Sequence, residues 1–476
     1  MSLVFYDTET TGLDAPFGQI LQFAAIRTDE DLKELERFEI RCRLMPHIVP
    51  APTAMQVTGI TVAQLTDESL PSHYQMVCAI HKKLKSWSPS NFAGFNSIDF
   101  DEHFLRQALY QSLHHPYLTN CDGNTRADVM RIARAASLFA PGAITIPCDT
   151  EGKQTFKLAE LAPANGFDHS DAHDAMGDVE ATLCLATLLF ERAPEVWSTA
   201  MRFSKKAAVK DFIESEQVFS LSDFYFGKAY SWLVTRLGVN ADNNSEHYVF
   251  NLVVDPGALA ELSDSELGDR LRELPKPVRC IRINAAPFLM AAFDAPDIAL
   301  GRELGEAELE RRAELLSSDT GLRNRLITAF EETRDERETS EHVEEQIYAQ
   351  FTSNEDMRLI EQFHRLPWKA RIQHLKKLED SRLRKLGMRL IHAEMPGVLD
   401  PNFCMTCDVV LAKRLLGVAG EVPWLTLPAA IEEIDDLLVS ADPTTIGHLQ
   451  EHHIYLAERL RKAKYSLADA MSRLDR

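Results

Sequence analysis

The sequence predicts an α/β protein in which a mixed domain of sheet and helix comes first, a smaller β-rich domain second and a helical region last. Three observations carry that prediction. Short apolar runs open the chain and give way to helical periodicity between residues 102 and 190. Near residue 200 the pattern turns aromatic and β-branched, and from about Leu300 nearly everything follows the helical period. At 476 residues the chain is also too long for one hydrophobic core. The expected domains are 1–200, 201–354 and 355–476.

In the first domain the candidate strands are Leu3–Thr8, Ile20–Thr28, Phe38–Leu44 and Asn91–Asn96. Helices are expected over Glu102–Leu113, Asp128–Phe139 and Asp171–Phe190. Strands first and helices interleaved later suggest a central sheet covered by helices. In the second domain Ser220–Trp232 is rich in aromatics, while Tyr248–Val254 and Val278–Asn284 read as strands. Ser263-Asp264-Ser265-Glu266 is a capping box that should start a helix running to about Leu274. An acidic stretch, Glu331–Glu345, precedes a helical bundle over Asp356–Arg476, broken at Pro396-Gly397 and Pro423.

Composition narrows the function. With 51 basic and 72 acidic residues the net charge is −21, which argues against coating duplex DNA by bulk attraction. Local basic strips can still track a phosphate backbone in such a chain. No apolar run is long enough to span a bilayer and no signal peptide is visible, so a cytoplasmic protein without membrane contact is expected. Eight scattered cysteines fit reduced thiols. Cys404 and Cys407 lack a second Cys or His pair, and a structural role is favoured over metal or redox chemistry.

The chemistry begins at Asp7-Thr8-Glu9. Residues i and i+2 of a strand share a face, so two carboxylates stand side by side. Their repulsion would raise one pKa unless a hard divalent cation, Mg²⁺ or Mn²⁺, neutralised it. Asp101 sits where the strand ending at Asn96 gives way to a helix, near a sheet edge where several elements can converge. His173 brings a base that titrates near neutral pH, and Asp178, five residues on, brings a further carboxylate from the following helix. That spacing puts His173 in a loop or first turn, with Asp178 fixed. Four carboxylates and one base are the inventory for two-metal phosphodiester hydrolysis.

In order, Asp-x-Glu, then Asn-x-x-x-Phe-Asp at Asn96–Asp101, then His-x-x-x-x-Asp resembles the DEDDh branch of the DnaQ-like 3′→5′ exonucleases. Thr10-Thr11-Gly12 and Val57-Thr58-Gly59-Ile60-Thr61 are also familiar from that superfamily. Within it the chain is similar to the bacterial exonuclease I family, at Gln22–Asp29, Phe156–Leu158, Ala164–Gly166 and His169–Asp178. The similarity continues at Val254-Asp255, Val278–Leu289 and Val343–Tyr348, and becomes patchy after residue 360. The resemblance implies an RNase H-like exonuclease domain, an SH3-like β domain and a C-terminal helical domain around a channel for single-stranded DNA. It implies that Asp7, Glu9 and Asp178 hold metal, that Asp101 supports the second of two Mg²⁺ ions, with Mn²⁺ a substitute, and that His173 is the base. Glu9, Thr10, Thr11 and Lys157 would meet the substrate. Lys157 stands where the family has an Arg, so bidentate phosphate geometry is lost. Thr10 and Thr11 are closer to proofreading subunits than to exonuclease I.

The function expected is therefore hydrolysis of single-stranded DNA from its 3′ end to 5′-mononucleotides, in DNA repair or recombination, by a monomer. The alternatives are an exonuclease for RNA 3′ ends or proofreading, and an inactive DNA-binding scaffold. Trp368–Ile391 carries Lys369, Arg371, Lys376, Lys377, Arg382, Arg384, Lys385 and Arg389 on a helical pattern, either a phosphate strip or a solvated face. By resemblance, basic pockets of this kind engage the acidic C-terminal tail of single-stranded-DNA-binding protein. Arg202, Lys205, Lys206 and Lys210 form a smaller patch. Phe219, Phe224, Tyr225, Phe226, Tyr230 and Trp232 read first as the core of a β domain, with base stacking as the alternative.

Overall fold

The computed structural model describes residues 1–168, 174–225, 227–334, 339–443 and 445–474. Five strands build the first sheet: β1 Leu3–Thr10, β2 Ile20–Thr28, β3 Glu34–Arg41, β4 Asn91–Gly94 and β5 Thr125–Asp128. Their order is β3-β2-β1-β4-β5. β1, β2 and β3 are antiparallel neighbours, whereas β4 and β5 run parallel to β1. β5 was not foreseen, since four residues before a helix give no periodicity of their own. It pairs along the flank of β4, so the strand leading to Asp101 is interior rather than at the sheet edge.

Alternation along β1 decides what sits where. Leu3 and Phe5 join one core with Val179, Leu185 and Leu189 of the helix Ala175–Arg192. Val4 and Tyr6 join the other, with Val77, Ile80 and Leu84 of the helix His73–Trp87 and with Phe104, Leu105 and Leu109 of the helix Asp101–Gln111. The strand period therefore carries Asp7 and Glu9 onto the face covered by the helix that bears Asp178.

A second sheet follows, from β6 Phe219–Tyr225, β7 Lys228–Val239, β8 Glu246–Asn251, β9 Val278–Arg282 and β10 Phe288–Ala291, in the order β10-β6-β7-β8-β9. The capping box forms as read: Ser263 and Glu266 close both hydrogen bonds at the start of Asp264–Arg272. The helices Asn354–Phe363, Trp368–Leu375 and Ser381–Glu394 then share a core with Tyr110 and Leu113 of the first region. Later helices pack Leu427, Ile434 and Leu456 against Val49.

Candidate active site

Where β4 ends, the chain must turn sharply beside β1. A Cβ on Gly94 would lie 2.6 Å from that of Ser97 and 2.7 Å from the Tyr6 carbonyl, so only glycine fits there. Asn96 turns the chain with φ at 61°. Asp128 then fixes the loop, accepting the backbone N–H groups of Asn96 at 3.1 Å and Ile98 at 3.2 Å while it caps the helix Val129–Phe139. Arg131 from that helix grips Asp99 at 2.8 Å. The result delivers Asp101 to the first turn of its helix, buried, where the Thr8 hydroxyl donates to it at 2.6 Å.

The other carboxylates come from β1 and the helix Ala175–Arg192. Oxygens of Asp7, Glu9 and Asp178 all lie within 4.8 Å of one another. Glu9 is buried, while Asp7 and Asp178 are half-buried. Asp174 caps the helix that carries Asp178, and both Gln22 of β2 and an ion pair with Arg41 of β3 hold Asp174 in place.

Electrostatics single the cluster out. Burial, then the charges of Asp101, Asp178 and Glu9, hold the Asp7 carboxyl well above its usual range. Burial and the charges of Asp178 and Asp101 push Glu9 up to about 9, although Arg41 opposes them. Burial raises Asp101 to about 7, against the Thr8 hydrogen bond that lowers it. Carboxylates crowded until they hold protons, with only oxygen ligands on offer, form a donor set suited to hard divalent cations.

Glu102, next in sequence to Asp101, belongs to the scaffold. It is buried among Arg126 at 3.0 Å, Arg106 at 2.7 Å, the Thr119 hydroxyl and the Tyr6 hydroxyl at 3.1 Å. These cations keep its carboxyl below the usual range against the penalty of burial. Two neighbouring acids thus have opposite environments: Asp101 faces further carboxylates and Glu102 faces two arginines.

His173 lies outside the described residues. Lys157 is exposed and pairs with Glu160 at 3.3 Å. The Thr10 hydroxyl donates to the Gly12 carbonyl at 2.8 Å, and the Thr11 hydroxyl accepts from the Gln19 N–H at 2.9 Å, so both shape the turn after β1. Asp128, Gln22 and Asp174 had no role in the reading of the sequence. A glutamine inside the apolar run of β2 was the available signal, because a buried polar side chain needs a partner.

Half of the basic strip is structural. Arg371 is buried against Trp368, Arg382 pairs with Asp380 at 2.6 Å, and Arg389 pairs with Glu344 at 2.8 Å. Arg384 donates to the carbonyls of Leu378 and Glu379. Lys369, Lys376, Lys377 and Lys385 remain exposed. In the smaller patch Lys206 bonds Asn244 and Ser245, and Arg202 lies over Phe203. Cys78, His114 and His364 also approach one another. There the imidazoles of His114 and His364 stack at 3.9 Å and 4°, so their lone pairs run parallel and do not converge on one ion. Both nitrogens of His364 are engaged, by the Tyr74 hydroxyl and the Leu113 carbonyl.

A five-stranded mixed sheet with three carboxylates converging beside its central strand defines a nuclease of the exonuclease class, and the Exonuclease family model matches residues 4–186. The model of the Exonuclease I C-terminal domain matches residues 341–459, so the chain is similar to exonuclease I in both its first and its last region. It is 27% identical to exodeoxyribonuclease I of Escherichia coli (strain K12) over 84% of this chain and 86% of that one. It is 28% identical to the Haemophilus influenzae protein of the same name, over 81% and 84%. A moderately thermophilic exonuclease I from Methylocaldum szegediense superposes with a TM-score of 0.83 at 25% identity, covering 97% of this chain and 99% of that one. E. coli exonuclease I in complex with a dA16 oligonucleotide shares the fold, with a TM-score of 0.82 at 24% identity over 96% and 99%.

Proposed function

We propose that this protein is a metal-dependent 3′→5′ exodeoxyribonuclease that hydrolyses single-stranded DNA to 5′-mononucleotides. The reading rests above all on the cluster of Asp7, Glu9 and Asp178, with Asp101 beside it; Asp7, Glu9 and Asp101 are raised in pKa, chiefly by burial. Similarity over most of the chain to proteins that are exodeoxyribonucleases supports the choice of DNA over RNA.

Asp7, Glu9 and Asp178 would hold one Mg²⁺ and Asp101 would help hold a second, with Mn²⁺ able to replace them. Such ions supply neutralisation of the phosphodiester charge and acidification of a bound water. His173 takes the proton from the attacking water. Asp174, Gln22 and Arg41 orient the helix that presents Asp178. The turn held by Thr10 and Thr11 supports the 3′ nucleotide, and Lys157 meets a phosphate as a point charge rather than a fork.

The exposed lysines at 369, 376, 377 and 385 support a proposed contact with phosphates or with the acidic tail of single-stranded-DNA-binding protein. Among the described residues no helix is long and apolar enough to cross a membrane. Eight free thiols support a reducing, cytoplasmic setting, where a monomer serving DNA repair would work. The test is a 5′-labelled strand incubated in Mg²⁺ beside its RNA counterpart and its duplex. A ladder shortening from the 3′ end of the single-stranded DNA supports the reading. Preferential decay of RNA, or no decay of any strand, overturns it.

A further inference from the structure

The hairpin of β6 and β7 has two unlike faces. In its register Tyr225 stands opposite Lys228, Asp223 opposite Tyr230 and Leu221 opposite Trp232, so these side chains share one face. Phe224 points the other way and packs on Phe156 of the nuclease region, 5.9 Å between ring centroids. Phe219, Leu221, Trp232 and Val234 of this face pack in a core, and toward the turn the face leaves it. Trp232 is buried, yet Tyr225 is 45% exposed and Tyr230 36% exposed.

The three rings form a row. Tyr225 and Tyr230 lie 5.9 Å apart, and Tyr230 and Trp232 lie 6.0 Å apart with planes within 6°. The Arg279 guanidinium caps Trp232 at 3.3 Å. The Tyr225 hydroxyl donates to Asp223 at 2.5 Å, which orients its ring. A sheet face that keeps two ordered tyrosines in water beside Lys228 and Arg279 matches a polyanion that also carries flat apolar faces.

Its location matches too. At the hairpin turn a Cβ on Gly227 would lie 2.4 Å from the Lys153 side chain, so the tip touches the segment that leads to Lys157. On its other flank Tyr225 feels the charge of Arg131, the residue that grips Asp99 in the loop delivering Asp101. The row therefore lies beside the loop that delivers Asp101, with its tip against the segment that leads to Lys157.

Resting on the nuclease reading above, we propose that Tyr225 and Tyr230 form a base-stacking platform for the unpaired strand upstream of its 3′ end. Stacking needs an open base face, which a single strand offers and a paired one does not. The platform thus selects against duplex without reading sequence.

The test measures dissociation constants in chelator, so that the strand is not consumed. Oligo-dT is compared with the same strand made abasic at all but its 3′-terminal nucleotides. Tyr225→Ala and Tyr230→Ala should each weaken oligo-dT binding about fivefold or more, the usual range when a base–aromatic stack is removed. Neither should change affinity for the abasic strand or the slope of log affinity against log salt, because no cationic side chain is removed. Tyr230→Phe should retain wild-type binding, and Tyr225→Phe, which keeps the ring but loses its bond to Asp223, should fall between wild type and alanine. Alanine variants that bind oligo-dT as the wild type does, or that lose both strands equally, overturn the proposal. If tyrosine-dependent binding is found but the wild type releases no nucleotide in Mg²⁺, the platform stands and the nuclease reading fails.

Discussion

Asp7→Asn is expected to stabilise the metal-free protein and to abolish its response to divalent cations. The carboxylates of Asp7, Glu9 and Asp178 lie within 4.8 Å of one another. At that separation two ionised groups repel by about 3 kcal/mol at an effective dielectric constant near 20. Part of this is already relieved by bound protons, so a net gain of about 1–3 kcal/mol is expected from the amide. The sign follows from the direction of the shifts. A carboxylate with a raised folded pKa adds no penalty below its unfolded value near 4, and its penalty grows until pH passes the folded value. Those folded values are about 7 for Asp101 and about 9 for Glu9, so the advantage of Asn should vanish near pH 4 and grow until about pH 9. It corresponds to roughly 2–12 °C in the melting of a unit of about 200 residues. Thermal unfolding in chelator and in Mn²⁺, across that pH range, gives the comparison. The wild type should gain stability with Mn²⁺ and the variant should not. A variant that melts lower than wild type in chelator at pH 8, or that keeps the Mn²⁺ increment, would rule out carboxylate repulsion relieved by metal.

His173→Ala should lower kcat by about 10²–10⁴ while the Mn²⁺ increment in melting temperature persists, since the variant lacks a base and keeps every carboxylate. An unchanged rate would place the proton transfer elsewhere. Lys376→Gln, Lys377→Gln and Lys385→Gln combined should weaken long single strands and cut the salt slope by about 0.7 for each lysine that neutralises a phosphate, with dinucleotide cleavage unchanged. Equal losses on short and long substrates would indicate damage to the fold instead. Glu102→Ala should cost about 3–5 kcal/mol in denaturant unfolding, because it strands two buried arginines beside the site. A loss below about 1 kcal/mol would remove Glu102 from the scaffold.

Much of the site could be read from the sequence because strand alternation and helix phase are local rules. Asp7 and Glu9 share a face for that reason, and Asp178 lies within a helix as read, although that helix starts at Ala175 rather than Asp171 and so holds Asp178 in its first turn. Asp101 was placed correctly at a strand-to-helix junction, but its sheet environment was not, because β5 shows no alternation over four residues. Long-range pairing was also hidden. Nothing in the sequence ties Asp128 to the Asn96 and Ile98 N–H groups, or Asp174 to Gln22 and Arg41, across the gaps that separate them. The basic strip misled for a related reason. Arg371, Arg382 and Arg389 lie on the helical pattern of a charged face, yet each finds an aromatic ring or a carboxylate that only the tertiary fold brings within reach.

Whether the carboxylate cluster is a divalent-metal centre is decided by Mn²⁺ anomalous diffraction from crystals of the protein. A peak bounded by Asp7, Glu9 and Asp178, with a second on the side of Asp101, is the predicted result, and Asp7→Asn crystals should lose both. A map without density at those carboxylates, or with its peak at Cys78, His114 and His364, would contradict it.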